Sequence, residues 1–135
     1  MTRTVERARS TRQRARRALG ALDPWVPPLA LMAVIFFFSG QSNLDSGLGT
    51  IDLIGRKMIH AGEYALLTFL WWRALRTTSA GRGTAIVAAV AVAVGYAITD
   101  ELHQTFVDGR HGSPIDVAID TAGAALAALA LWRRG

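Results

Sequence analysis

Residues 84–99, TAIVAAVAVAVGYAIT, consist almost entirely of alanine, valine and isoleucine, and residues 100–104, DELHQ, follow them directly. An uninterrupted apolar run of this kind is typical of a helix inside a membrane or inside a protein core. The two acids, the histidine and the glutamine then make one end of that helix strongly polar. The sequence therefore predicts an apolar helix with a charged group at its C-terminal end.

Three further apolar segments lie on either side of this one, at residues 25–39, at about 58–72 and at 115–132. The second of them can extend backward as an amphipathic stretch from Thr50. Asp23-Pro24 and Ser113-Pro114 each pair an N-cap residue with a first-turn proline, which predicts the starts of the first and fourth helices. Each segment is shorter than the ~20 residues of a full membrane span, so we expect the helices to continue into polar residues or the bilayer to thin.

The composition favours a membrane protein over a basic soluble domain. The chain has 135 residues, of which 51% are hydrophobic, and a net charge of +5. Such a charge would suit a nucleic-acid binder, but the charged residues are clustered between apolar runs, so we expect no nucleic-acid partner. A soluble helical core would leave too little polar surface, and the first segment lacks the cleavage site of a signal peptide. The absence of cysteine excludes disulfides, Fe–S clusters and thiol nucleophiles.

The basic residues predict the orientation in the membrane. Residues 1–22 carry seven arginines and almost nothing apolar, which predicts a disordered cytoplasmic tail attracted to anionic lipids; a nucleic-acid-binding arm is the weaker alternative. With the N-terminus inside, twelve of the fifteen basic residues and all four tryptophans lie on the cytoplasmic side. We therefore expect an all-α, four-helix transmembrane bundle over residues 23–135, with both termini cytoplasmic.

This topology puts eight of the ten acids and all three histidines on the outer side, where three polar groups occur. The first group lies on the second helix and consists of Lys57, His60, Glu63 and Tyr64. The second lies at the end of the third helix and consists of Tyr96, Asp100, Glu101, His103 and Gln104. The third lies in the loop before the fourth helix and in its first turns, and consists of Arg110, Asp116 and Asp120. Each group has a structural explanation: a His–Glu pair between helices, a solvated helix end and a Ser113-x-x-Asp116 capping box. Their shared depth instead predicts one polar pocket at the outer face.

Asp120 is the residue that a structural explanation covers least well. It lies one helical turn deeper than Asp116 and is followed by small residues, so a carboxylate without a partner would be costly there. We expect Arg110 or a histidine to be its partner. Arg110 lies between glycines, and its planar guanidinium suits a carboxylate or a phosphate.

The same residues carry a resemblance to a known family. From about Pro28 to its C-terminus the chain resembles the VanZ-like membrane proteins, in three pieces: FSGQS at 38–42; Lys57, His60, Glu63, Tyr64, Leu66 and Leu67; and Asp100, Glu101, His103, Gln104, Phe106, Val107, Gly109, Arg110, Gly112, Ser113, Asp116, Val117, Asp120 and Gly123. The family is named for a factor that gives low-level resistance to the glycopeptide teicoplanin. The resemblance implies a place in the cell envelope, and it groups the polar residues without giving them roles.

Three functions fit this arrangement. The first is recognition or modification of a lipid-linked or head-group substrate at the outer leaflet, such as a cell-wall precursor or a phospholipid, by a hydrolase or group transferase. A divalent metal is one way to activate water for it. Catalysis would then fall to His60, Glu63, Asp100, Glu101, His103 and Asp120, and substrate binding to Lys57, Tyr64, Gln104, Arg110 and Asp116. The alternatives are a non-enzymatic protein that binds a glycopeptide or responds to envelope stress, and a proton-coupled transporter, which the featureless inner half of the third helix disfavours.

Overall fold

The computed structural model describes Gly20, residues 22–41 and residues 50–135. It contains four helices in these residues, which are α1 (Val26–Ser39), α2 (Thr50–Leu75), α3 (Arg82–Gln104) and α4 (Pro114–Arg133). None of the described residues lies in a strand, so the prediction of an all-helical fold is confirmed for these residues. The predicted tail over residues 1–22 lies almost entirely outside the described residues, and that boundary stays a prediction.

The two predicted helix starts have different outcomes. Ser113 is the N-cap of α4, where its backbone is extended and its Oγ accepts a hydrogen bond from the Ile115 N–H at 3.2 Å, as the sequence predicts. The prediction for α1 is wrong, because Trp25 is the N-cap and no side chain caps this end. Asp23 lies before the helix, and its Oδ2 is 3.9 Å from Nη2 of Arg73 near the end of α2.

The helices alternate in direction along the chain. Trp25 packs edge-on against Trp71 with ring centroids 6.0 Å apart, so the start of α1 meets the end of α2. At the start of α3, the Arg82 guanidinium donates to the Leu131 carbonyl near the end of α4. One end of the molecule, the tryptophan end, therefore holds Trp25, Trp71, Trp72 and Trp132. The opposite end, the polar end, holds the three predicted polar groups.

Small residues bring the helices close together. The most extensive contact is between α2 and α4, where a Cβ atom at Gly123 would lie 2.0 Å from the Ala61 carbonyl oxygen. Ala89 and Ala93 of α3 are fully buried. Because the backbones of α2 and α4 touch at this crossing, polar side chains one turn away on each helix are brought within reach of one another.

Two of the four helices are long and apolar enough to cross a membrane, judged by length and composition. These are α3, with 23 residues, and α4, with 20 residues. Helix α1 is apolar but has only 14 residues, and α2 carries charged residues over much of its length. Four membrane crossings and the orientation of the termini therefore stay predictions.

Candidate functional site

A cavity of about 120 Å³, the polar cavity, lies at the polar end between α2, α3, α4 and the loop before α4. Nearly all of its lining is charged or polar: Arg56, Lys57, His60, Glu101, Gln104, Arg110, Asp116, Ile119 and Asp120. Seven of these residues are among the eleven predicted for the site. The volume is that of a few water molecules, so the cavity suits a small polar group.

Asp120 forms the buried floor of the polar cavity. Its side chain is only 1% exposed, and neither of its carboxylate oxygens has a hydrogen-bond partner among the described residues. His60 is the nearest basic side chain, with Nδ1 at 3.7 Å from Asp120 Oδ1. This separation is within ion-pair range but too long for a hydrogen bond. The expected partner of Asp120 is therefore a histidine rather than Arg110.

Arg110 makes a different set of contacts. Its Nη1 donates to the Ser39 carbonyl at 2.7 Å and, at longer range, to the carbonyls of Phe38 and Gln41 at 3.3 and 3.4 Å. The last carbonyls of a helix have no partner within the helix, and a cation near them is favourable. Arg110 thereby ties the loop before α4 to the end of α1 while still lining the polar cavity.

The mouth of the polar cavity contains an ion pair. Lys57 Nζ of α2 donates to Asp116 Oδ1 of α4, and each side chain is about one-third exposed, at 34% and 33%. The capping box predicted for Ser113 and Asp116 is therefore only half formed, since the carboxylate of Asp116 points to Lys57. Glu101 replaces it, because its Oε2 accepts from the Ser113 N–H at 2.7 Å.

A close approach makes the contact with Glu101 possible. A Cβ atom at Gly112 would lie 2.6 Å from the Glu101 carbonyl oxygen, so only glycine lets the loop pack against the end of α3 at this point. The N–H of the next residue, Ser113, then reaches the Glu101 side chain. Glu101 thus joins α3 to the start of α4 as well as lining the cavity.

Further carboxylates surround Asp120. Gln104 Nε2 lies 3.3 Å from both Asp100 Oδ2 and Glu101 Oε1, and joins two carboxyl groups that are 2% and 6% exposed. Oδ1 of Asp100 has no partner among the described residues. The carboxylates of Glu101, Asp100, Asp116 and Glu63 are all close enough to repel the charge of Asp120. The interior of the polar end is therefore rich in negative charge.

A second and larger cavity, the apolar groove, adjoins the polar cavity. It has a volume of about 350 Å³ and lies between α1 and α2. Most of its exposed wall is apolar, although five of its eight lining residues are polar or charged: Ile35, Phe38, Ser39, Arg56, Ile59, His60, Glu63 and Arg110. Arg56, His60 and Arg110 line both spaces, so the polar cavity and the apolar groove are neighbours across these three side chains. Glu63 belongs to the groove rather than to the polar cavity.

Three predicted residues line neither cavity. Tyr64 is fully buried in the core, and its hydroxyl has no partner among the described residues. Asp100 lies behind Gln104, and its carboxylate accepts a hydrogen bond from the Gln104 side-chain amide. His103 stacks on Phe36 with ring centroids 4.2 Å apart and so faces α1 instead of Asp120. Tyr96, on the same side of α3, also faces α1, where its hydroxyl donates to the Met32 carbonyl at 2.6 Å.

Sequence reasoning missed two residues of the polar cavity. Arg56 lies four residues before His60 and therefore on the same face of α2, a spacing that could have revealed it. Ile119 carries no chemical signal and could not have been found in this way. The described residues contain no group of three or more His, Asp or Glu side chains positioned to hold a metal ion.

The fold and the site together define an all-helical protein with a charged cavity between its helices at one end. The family model described as VanZ/LLP1 matches residues 24–134, and the chain belongs to this family, as the resemblance predicted. Family membership and the two long apolar helices suggest a membrane protein. No curated protein and no solved structure gives a significant match.

Proposed function

We propose that this chain is an integral membrane protein that binds the head group of an envelope lipid, or of a lipid-linked cell-wall precursor, at the outer leaflet. The observation that carries the proposal is the adjacency of the two cavities. A small charged space suits a polar head group, and a larger apolar space beside it suits the start of a hydrocarbon chain. A ligand that fills both is amphipathic.

The distribution of apolar surface supports a membrane setting. Only 39% of the most apolar stretch of α3 and 22% of that of α4 are buried within the protein. Phe36, Phe37 and Phe38 at the end of α1 are at least half exposed. A core helix of a soluble protein would bury most of such surface, whereas lipid can cover it.

His60 and Asp120 give this binding site a means of acid–base chemistry. The Asp120 carboxylate lies 3.7 Å from Nδ1 of His60, and a histidine beside a carboxylate is a common pair for general acid–base chemistry in hydrolysis or group transfer. The alternative is a binder without turnover, in which the same residues only hold the head group. Both the enzyme and the binder would act on a component of the cell envelope, and a change in that component can alter susceptibility to glycopeptides.

Binding is tested with the purified full-length protein and native mass spectrometry. A mixture of dioleoyl phosphatidylethanolamine and phosphatidylglycerol should bind, whereas dioleoylglycerol, with the same chains and no head group, should not. Lys57→Gln should weaken phospholipid binding, while Arg133→Gln, an equal loss of charge at the tryptophan end, should not. Equal retention of dioleoylglycerol, or equal binding by both variants, would contradict the proposal.

Turnover is tested separately. Labelled lipid-linked cell-wall precursor is incubated with the purified protein, with and without a chelator, and the products are separated by chromatography. Product formation that His60→Gln abolishes indicates an enzyme. Binding without product supports the non-enzymatic alternative.

A further inference from the structure

We propose that the head group bound by this site carries a primary amine as well as a phosphate, with the amine seated on Asp120 and the phosphate at the mouth of the polar cavity. The inference deepens the proposed function and rests on it. Two independent observations carry it, one at the floor of the polar cavity and one in the separation of charge along its depth.

The floor of the polar cavity needs a hydrogen-bond donor. Asp120 lines the cavity, is only 1% exposed and has two carboxylate oxygens without a partner among the described residues. Nδ1 of His60 is 3.7 Å from Oδ1, which is too long for a hydrogen bond. An ammonium group brings three N–H donors and a positive charge, so it satisfies both oxygens and also offsets the neighbouring carboxylates.

The charge along the polar cavity changes sign with depth. The deep acids are Asp120 and Glu101, which are 1% and 6% exposed. Toward the mouth, Lys57 and Asp116 form an ion pair and are each about one-third exposed, and Arg56 and Arg110 line the same cavity, so basic residues outnumber acids outside the floor. Arg110 is half-buried, and all of its described hydrogen bonds go through Nη1, which leaves Nη2 and Nε to meet a phosphate. A phosphate could not enter the acidic floor without strong repulsion, so the deeper part of the ligand has to be the cation.

This arrangement distinguishes between common head groups. A phosphoglycerol group has hydroxyl donors but no positive charge to set against the carboxylates. A phosphocholine group has the charge but no N–H, and three methyl groups would have to fit beside Asp120. A phosphoethanolamine group, or an amine-bearing group on a lipid-linked precursor, has both properties.

The test uses the wild-type protein and a methylation series. The probes are dioleoyl phosphatidylethanolamine, its N-methyl and N,N-dimethyl forms, and dioleoyl phosphatidylcholine. All four have the same phosphate, the same positive charge on nitrogen and the same acyl chains, but the number of N–H donors falls from three to none. In competitive binding measured by native mass spectrometry, the affinity should fall with each added methyl group. Phosphatidylcholine should bind at least tenfold more weakly than phosphatidylethanolamine. Dioleoyl phosphatidylglycerol should also bind at least tenfold more weakly than phosphatidylethanolamine.

A matched pair of variants locates the effect. Asp120→Asn should bring phosphatidylethanolamine and phosphatidylglycerol binding to within about threefold of each other, whereas Asp108→Asn, the same change on an exposed loop residue, should leave the preference intact. Equal binding of every phospholipid, with binding still sensitive to Lys57→Gln, would overturn the amine inference and leave the proposed function standing. Failure of all phospholipids and of the labelled lipid-linked precursor to bind would overturn both.

Discussion

Asp120 combines deep burial, a full set of unpartnered acceptors and several like-charged neighbours. Such a residue is held in place by the surrounding fold and does not itself stabilise it. We therefore expect Asp120→Asn, which keeps the shape and removes the charge, to leave the thermal unfolding temperature in detergent unchanged or to raise it. The same variant should lose the proposed function, measured as phospholipid preference or as glycopeptide susceptibility of a host that carries the gene. A large drop in unfolding temperature would instead show that the carboxylate is a structural tie.

Arg110 should behave in the opposite way. Its shortest hydrogen bond goes to the Ser39 carbonyl at the end of α1, so Arg110→Ala leaves that acceptor without its described partner and releases the loop before α4. The expected cost is about 1–3 kcal/mol in the free energy of unfolding, the range for losing one partner of a charged hydrogen bond. Urea unfolding of Arg110→Ala and Asp120→Asn side by side measures the difference. If Asp120→Asn is the less stable of the two, this assignment of roles is wrong.

Residue spacing predicted which polar residues share one end of the molecule but not which of them pair. Helical periodicity fixes the face and depth of a side chain, and this was enough to group Lys57, His60 and Asp120 from sequence. Pairing depends on how far apart the helices lie and on the path of the loop between α3 and α4. The Ser113 N–H donates to Glu101, where the sequence predicted Asp116 as the acceptor. This bond requires the close approach of the loop to α3 at Gly112, which no pattern in the sequence encodes.

At the scale of the helices, the crossing of α2 and α4 at Gly123 determines the shape of the site. A methyl group there would meet backbone atoms of Ala61, with the carbonyl oxygen at 2.0 Å, and a backbone carbonyl cannot rotate away. Gly123→Ala should therefore separate α2 from α4 and cost about 1–3 kcal/mol in the free energy of unfolding. The distance between His60 and Asp120, one on each helix, would increase with it.

Gly95 provides the matched control for this substitution. It lies within α3, and a Cβ atom there would meet nothing within 4 Å. Gly95→Ala should leave stability unchanged or increase it, because alanine is the better helix former by about 0.5–1 kcal/mol. Chemical unfolding of both variants checks the pair. Equal losses of stability would mean that helix flexibility matters here rather than close packing.

Helix boundaries were predicted less well than helix positions. Hydropathy marks where apolar side chains stop, whereas a helix continues as long as its backbone hydrogen bonds do. Helix α3 accordingly runs from Arg82 to Gln104, beyond the apolar residues 84–99 at both ends. Extension into polar residues was expected from the shortness of the apolar runs, and the polar residues of α3 that contribute to the site lie in this extension.

In the molecule as a whole, apolar, aromatic and acidic residues are arranged along one axis. The four tryptophans lie at one end and the buried acids Asp100, Glu101 and Asp120 lie near the other. Aromatic rings of this kind prefer the boundary between lipid and water, and basic residues prefer the cytoplasmic side of it. Arg73, Arg76, Arg82, Arg133 and Arg134 lie at or next to the tryptophan end. The same axis therefore predicts both the depth of the site and the side on which it opens.

The prediction that follows is that the tryptophan end faces the cytoplasm and the polar end faces outward. The chain contains no cysteine, so single cysteines report without interference. Asp108→Cys is on the exposed loop at the polar end, and Ser79→Cys is on the exposed loop between α2 and α3 at the other end. In intact cells an impermeant maleimide should label Asp108→Cys and leave Ser79→Cys unlabelled, while both should react after permeabilisation.

The reversed pattern would place the charged cavity on the cytoplasmic side and would contradict a substrate in the outer leaflet. Labelling of both in intact cells would contradict an odd number of membrane crossings between the two loops, and with it the four-span topology.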